Sequence, residues 1–343
     1  KRECPTGVDM ARMKIEVTAL QTEKHGLSWH DKLIAYLPDY APYAAALAPL
    51  LRLRDLLPGA AWLSEKITGF TAKRPLPKWQ RNWFRQDELP SQPAADATPV
   101  ILFADTFNRY LEPANLRASV RVVQAAAYTV FAPLPEQSNR PLCCGRTFLS
   151  TGMVERARSE ASRLVTTFLP FAKVGVPIVG LEPSCLLALR DELPALLNEE
   201  ASRIVAGMAM TFEELLAHDK PALPLKKAAG KALLHGHCHQ KAFEAVRPIE
   251  EVLGWIDGLD VTPIESSCCG MAGAFGYGAD SYDISMQIAN ENLLPAIRKA
   301  DAADLLIADG TSCRCQIKDG ANRTAKHVAL VLDSYLEDTK PAN

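Results

Sequence analysis

ESSCCGMAGAFGYG, residues 265–278, sets Cys268 and Cys269 side by side and follows them with Gly270, Gly273, Gly276 and Gly278. Adjacent side chains leave the backbone in different directions, so such a pair packs poorly unless something else uses both sulfurs. The pattern occurs twice: PLCCGRTFLSTG at 141–152 pairs with SSCCGMAGAFGYG at 266–278. Other landmarks keep the same order. EPSC (182–185) pairs with GTSC (310–313), and FADTF (103–107) with HGHCH (235–239), where Asp105 takes the place of Cys238. From Cys143 to Cys268 is 125 positions, from Cys185 to Cys313 128, and from Asp105 to Cys238 133. Three landmarks at nearly constant offset read as a tandem duplication from about residue 99.

Around these landmarks, short apolar runs alternate with longer amphipathic segments, the pattern of βα units and a parallel sheet. The expected strands are VILFA (100–104), TVFA (129–132), PIVGL (177–181), KALLH (231–235), VTPI (261–264) and DLLIA (304–308). The expected helices include 114–127, 151–169, 281–299 and 325–336. Residues 1–57 read as helical, and 58–98, rich in Pro and Trp, as an irregular connector whose basic residues form a solvated face. The expected architecture is therefore α/β. A helical segment (1–57) and a connector (58–98) precede a first unit (99–225) and a second (226–343).

Each cysteine after residue 100 falls beyond the carboxyl end of an expected strand, the edge where open α/β sheets bind ligands. The first copy offers Cys143, Cys144 and Cys185, with Asp105 in the fourth place; the second offers Cys238, Cys268, Cys269, Cys313 and Cys315. A thiolate-rich pocket selects iron–sulfur clusters, zinc or cuprous copper. Five sulfurs exceed what tetrahedral zinc needs and suit a multi-iron cluster. Gly270 and Gly273, with their neighbours, are expected to let the backbone approach that core and to hydrogen-bond its sulfides. Zinc is the rival, because His235, His237 and His239 flank Cys238. For the first copy the alternative is a structural domain with buried or loosely redox-active thiols. GAFGYG lacks the order of a dinucleotide fingerprint.

The remaining composition narrows the classes. The chain has 343 residues, 48% of them hydrophobic, with 38 basic residues against 40 acidic. Nothing marks a nucleic-acid partner, and no apolar run reaches the roughly 18 residues of a membrane span. No export signal precedes the nine cysteines, so metal or redox chemistry is expected before disulfides. RECPTGVDMARMK (2–14) sets Cys4 directly before Pro5, as at the end of a ferredoxin C-x3-C-P motif. Because the chain begins at Lys1, the reading is that it starts just inside such a motif.

CCGRTFLSTG, LEPSC, HCHQKAF, CCGMAGAFGYG and GTSCRCQI together resemble the cysteine-rich CCG domain family. That family includes the cysteine-rich component of heterodisulfide reductase and the iron–sulfur components of glycerol-3-phosphate dehydrogenase and glycolate oxidase. The likeness is nearest to the carboxyl-terminal iron–sulfur half of FAD-linked dehydrogenases acting on D-lactate, D-2-hydroxyglutarate and related 2-hydroxy acids, and it covers essentially the whole chain. It implies two CCG domains, the first degenerate, behind the end of a ferredoxin-like module, with the flavin domain upstream. It implies 4Fe–4S clusters held by Cys4 and by Cys238, Cys268, Cys269 and Cys313. The family often shows C-x-x-C at the last site where this chain has C-x-C, which makes Cys315 the weakest ligand. The implied partners are an FAD-binding oxidase domain or subunit and a quinone or other acceptor. The implied location is cytoplasmic, with peripheral association at the inner face of the membrane. Thiol–disulfide chemistry and a zinc-stabilised docking scaffold are the competing readings.

Overall fold

In the computed structural model, residues 8–89, 97–135 and 140–337 are described. Cys4 lies outside them. Two four-stranded parallel sheets organise the chain. The first joins β1 (Thr98–Phe103), β2 (Tyr128–Phe131), β3 (Ile178–Gly180) and β4 (Ala209–Thr211) in the order β2-β1-β3-β4. The second joins β5 (Gly230–Leu234), β6 (Leu259–Pro263), β7 (Leu305–Ile307) and β8 (Ala325–Lys326) in the order β6-β5-β7-β8. All pairings in both sheets are parallel. Identical strand order is what a duplicated unit produces. The six expected strands all form; β4 and β8, of three and two residues, complete the sheets at one edge. The span read as a helix over 325–336 therefore begins with a strand, and its helix covers Val328–Tyr335.

Two helix pairs join the sheets reciprocally. Pro113–Ala125, after β1, packs on Val328–Tyr335, after β8, and Phe212–Asp219, after β4, packs on Arg247–Leu253, after β5. Leu116, Val120, Val123, Val328 and Leu332 meet Leu215, Leu216, Ile249 and Leu253 in one apolar core that runs through both units. Each unit adds its own core on the other face of its sheet.

The connector reading of 58–98 needs revising. Ala60–Thr68 is a helix, and the chain after it is fastened to the second unit. Phe70 bridges to Gly278, Thr71 N–H donates to the Tyr277 carbonyl (2.8 Å), and Ala279 N–H to that of Gly69 (2.9 Å). Arg74, expected on a solvated face, is 1% exposed. Its guanidinium pairs with Asp319 (3.3 Å), donates to Gln316 and stacks near Tyr277 and Tyr282. Among the described residues of this segment, proline leaves one short α-helix and a 3-10 turn at Gln86–Glu88, while ring stacking and a buried ion pair hold the stretch around Arg74 in place.

Candidate metal centre

β5 lies between β6 and β7, so the loops leaving these three strands emerge side by side. They carry Cys238 (after β5), Cys268 and Cys269 (after β6) and Cys313 (after β7). Because the chain reverses direction of travel across β5, a crevice opens at the carboxyl ends. The four sulfurs form a contact series there: Cys238 with Cys268, Cys268 with Cys269, and Cys269 with Cys313. His235 closes the group, its ring within 4.8 Å of the sulfurs of Cys269 and Cys313.

Local backbone sets each of these cysteines. Cys238 opens the helix Cys238–Ala242, whose cap is His237, its Nδ1 accepting from His239 N–H at 3.1 Å. Cys313 lies in the first turn of Thr311–Ala321. Both sulfurs thus sit at helix amino termini, where free N–H groups favour negative charge. Gly270, at φ 85°, turns its N–H onto Cys268 Sγ (3.3 Å). The first unit repeats this turn: Gly145, at φ 80°, donates to Cys143 Sγ at 3.4 Å.

The glycines serve packing more than clearance. A Cβ on Gly270 would stand 2.2 Å from the Ser285 carbonyl oxygen, whereas one on Gly273 would meet nothing within 4 Å. Gly310 is the glycine beside the thiols; its Cβ would lie 2.5 Å from the His237 ring and 3.2 Å from Cys313 Sγ. Cys315 is not brought to the group. Two residues along a helix turn the side chain by about 200°, and Cys315 lies half-buried against Tyr277, its thiol pushed up to about 11 chiefly by desolvation.

The two units differ in charge more than in shape. In the second, the hydrogen bond from Cys238 holds the Cys268 thiol down to about 2, and that from Cys269 lowers Cys313 well below the ordinary range. Cys238 and Cys269, as the donors, are raised. Lys241, on the Cys238 helix, reaches over the group to the carbonyls of Ser266 and Ser267. In the first unit Cys143, Cys144 and Cys185 also touch, but acidic groups surround them. Despite a hydrogen bond with Cys144 that favours its thiolate, Cys185 is pushed up to about 12 by burial and by Asp105 and Glu182. Cys143 and Cys144 rise as well. Two thiols of the second set are thus favoured as thiolates, the form that binds soft metals, whereas those of the first set are disfavoured.

Asp105 has another task. It caps the helix Thr106–Tyr110, its Oδ1 accepting from Phe107 N–H (2.9 Å) and Asn108 N–H (3.0 Å), its Oδ2 from Asn108 Nδ2 (2.8 Å). His237 caps the corresponding helix of the second unit, so the structure pairs Asp105 with His237 rather than with Cys238.

Two orphaned atoms point to an occupant of the second site. Among the described residues, His235 Nε2 and His239 Nδ1 are buried without a hydrogen-bond partner, an arrangement that is costly unless something accepts or binds there. Burial and the Arg146 guanidinium, which reaches across from the first unit to His239 Nε2 (3.0 Å), hold the His239 ring neutral, down to about 3. Four clustered sulfurs, imidazoles and a lysine fit an iron–sulfur core or another soft metal. Lys241, Arg146 and Arg74 were missed in the sequence. HCHQK does place Lys241 one helical turn beyond Cys238, which is a usable signal.

Residues 233–318 match the CCG cysteine-rich domain family. Over 96% of its length it is 26% identical to one component of the anaerobic glycerol-3-phosphate dehydrogenase of Escherichia coli K12, spanning 81% of that protein. Over 98% it is 25% identical to the D-2-hydroxyglutarate dehydrogenase of Pseudomonas putida, of which it spans 33%. Lactate utilization protein A of Bacillus subtilis matches 56% of the chain at 27% identity. No helix among the described residues is long and apolar enough to cross a membrane.

Proposed function

We propose that the chain is the iron–sulfur electron-transfer portion of an FAD-linked D-2-hydroxy-acid dehydrogenase, serving between a flavin and a quinone or other acceptor. The observation that carries this reading is the convergence of Cys238, Cys268, Cys269 and Cys313 on one crevice, two of them favoured as thiolates. These four would hold a 4Fe–4S cluster, which supplies one-electron chemistry when bound. The chain's own residues do the rest. Helix amino termini and Lys241 offset thiolate charge, Met271 and Ile264 exclude water from one side, and Gly270 N–H fixes Cys268. A second cluster near Cys4, the FAD itself, and a cytoplasmic, peripherally membrane-associated location belong to the same proposal.

Similarity to dehydrogenases and to a dehydrogenase component supports an oxidoreductase role. The D-2-hydroxyglutarate dehydrogenases extend to about three times the matched length, which supports a flavin domain or subunit as partner. Met10, Met13, Val17 and Leu20 form an exposed apolar stripe on the helix Met10–His25, a face such a partner would cover. Anaerobic purification followed by iron, zinc and acid-labile sulfide analysis, with EPR of the reduced protein, tests the reading. Iron and sulfide in near-equal amounts are expected. Zinc alone would replace it with the docking scaffold.

A further inference from the structure

A second buried group of titratable side chains lies on the seam between the units, away from the sulfurs. Glu213, from the helix after β4, meets Asp309, from the loop after β7, and His327, the cap of the helix after β8. Their ligand-type atoms fall within 4.8 Å of one another. All three are at most 1% exposed.

The partners decide what this group can hold. His327 Nδ1 accepts from Ala329 N–H at 3.0 Å, so its proton is on Nε2, which donates to the Leu181 carbonyl at 3.0 Å. Asp309 Oδ1 accepts from Val328 N–H (3.0 Å). Both atoms therefore already face the positive end of the helix Val328–Tyr335, where a metal cation is disfavoured and a carboxylate favoured. Glu213 Oε1 has no hydrogen-bond partner among the described residues. An unpartnered carboxylate oxygen buried beside a second carboxylate is an open place for a proton to be taken up. Burial and Asp309 both push the Glu213 carboxyl well above its ordinary range.

The other charged groups nearby are already matched. Arg314 donates to the carbonyls of Ala308 and Asp309 (2.8 and 2.6 Å) and pairs with Glu112. Glu182 accepts from Thr311 N–H (2.9 Å), and Glu214 pairs with Arg190 (2.9 Å). A hydrogen-bonded chain then leads from the seam to the sulfurs. Asp309 Oδ2 accepts from Gln240 Nε2 (3.0 Å), and Gln240 Oε1 accepts from His237 N–H (3.1 Å), beside Cys238.

We infer that Glu213 is the proton acceptor that offsets negative charge added at the Cys238–Cys313 site. One electron entering there from a one-electron donor is matched by one proton taken from water onto the Glu213 carboxylate, which becomes the acid. No other bond changes. The inference rests on the metal-centre reading above and adds a residue from the opposite unit to it.

The test is an EPR-monitored redox titration of the whole protein from pH 6 to 10, with dithionite as reductant, on protein first assayed for iron. While Glu213 is ionised before reduction, the reduced-to-oxidised ratio at fixed potential should fall about tenfold per pH unit. Glu213→Gln should remove this dependence. Infrared difference spectra of the unmodified protein give a readout that needs no variant: reduction should produce a protonated-carboxyl band that shifts in deuterated water. A pH-independent ratio, or no such band, in protein with its full iron overturns this inference alone. Protein without iron overturns the metal-centre reading instead.

Discussion

Gly270 and Gly273 occupy the same loop, and both have positive φ, yet the structure assigns them different costs for a methyl group. Each alanine variant would suffer the left-handed backbone penalty, about 1–2 kcal/mol. At Gly273, φ 70°, nothing lies within 4 Å, and the penalty ends there. At Gly270, φ 85°, the new Cβ would sit 2.2 Å from the Ser285 carbonyl oxygen. Ordinary contact needs more than an ångström of extra room, and the obstacle is backbone, which cannot rotate away. Overpacking of that kind adds about 1–3 kcal/mol, for a total of about 2–5 kcal/mol. The displacement also has a direction. Gly270 N–H holds Cys268 Sγ, so moving the turn off Ser285 moves two of the four sulfurs. Gly270→Ala should melt several degrees below Gly273→Ala and retain less iron per chain. Thermal melting with parallel iron and sulfide assays reads both. Equal melting temperatures and equal iron in the two variants would refute the packing argument.

Other expectations follow from the same geometry. Cys315→Ser should keep its iron whereas Cys313→Ser loses it, as metal analysis will show, because Cys315 faces Tyr277. Arg74→Met leaves Asp319 without its partner and should destabilise the fold by about 3 kcal/mol; Lys78→Ala, on the exposed part of the same segment, should change the denaturation midpoint little. Asp105 is buried and its carboxyl is pushed up to about 6 from 3.8, mainly by desolvation and then by Glu182. The folded state therefore binds more protons than the unfolded one between those values, and stability falls as pH rises through that window. Asp105→Asn, which can still cap its helix, should be more stable than the unmodified protein above pH 6, by about 1–3 kcal/mol. Denaturant midpoints measured from pH 4 to 8 should show the advantage vanish at the acid end.

What could be read in the sequence was whatever burial writes as a pattern. Six strands stood out because parallel strands covered on both faces are continuous apolar runs. β4 and β8 are too short to make such a run, and AK at 325–326 has no strand signal at all. The sulfurs of Cys238, Cys268, Cys269 and Cys313 were legible because βα order alone sends them to one sheet edge. Cys315, the weakest of the expected ligands, turns toward Tyr277, and that turn is set by the helix it shares with Cys313 rather than by spacing. Arg74 looked like one of a row of solvated cations. Its burial depends on Asp319 and Tyr277, which are more than 200 positions away and invisible to any local reading.

The reciprocal pairing of Pro113–Ala125 with Val328–Tyr335 and of Phe212–Asp219 with Arg247–Leu253 has the form of an isologous dimer whose two halves share one chain. In a true homodimer every substitution strikes both copies, so neither can specialise. Once the copies are tethered, association no longer depends on concentration, and each can change alone. One half was free to surround its thiols with acids and to lend Arg146 and Glu213 across the boundary. The other kept four sulfurs together at one sheet edge.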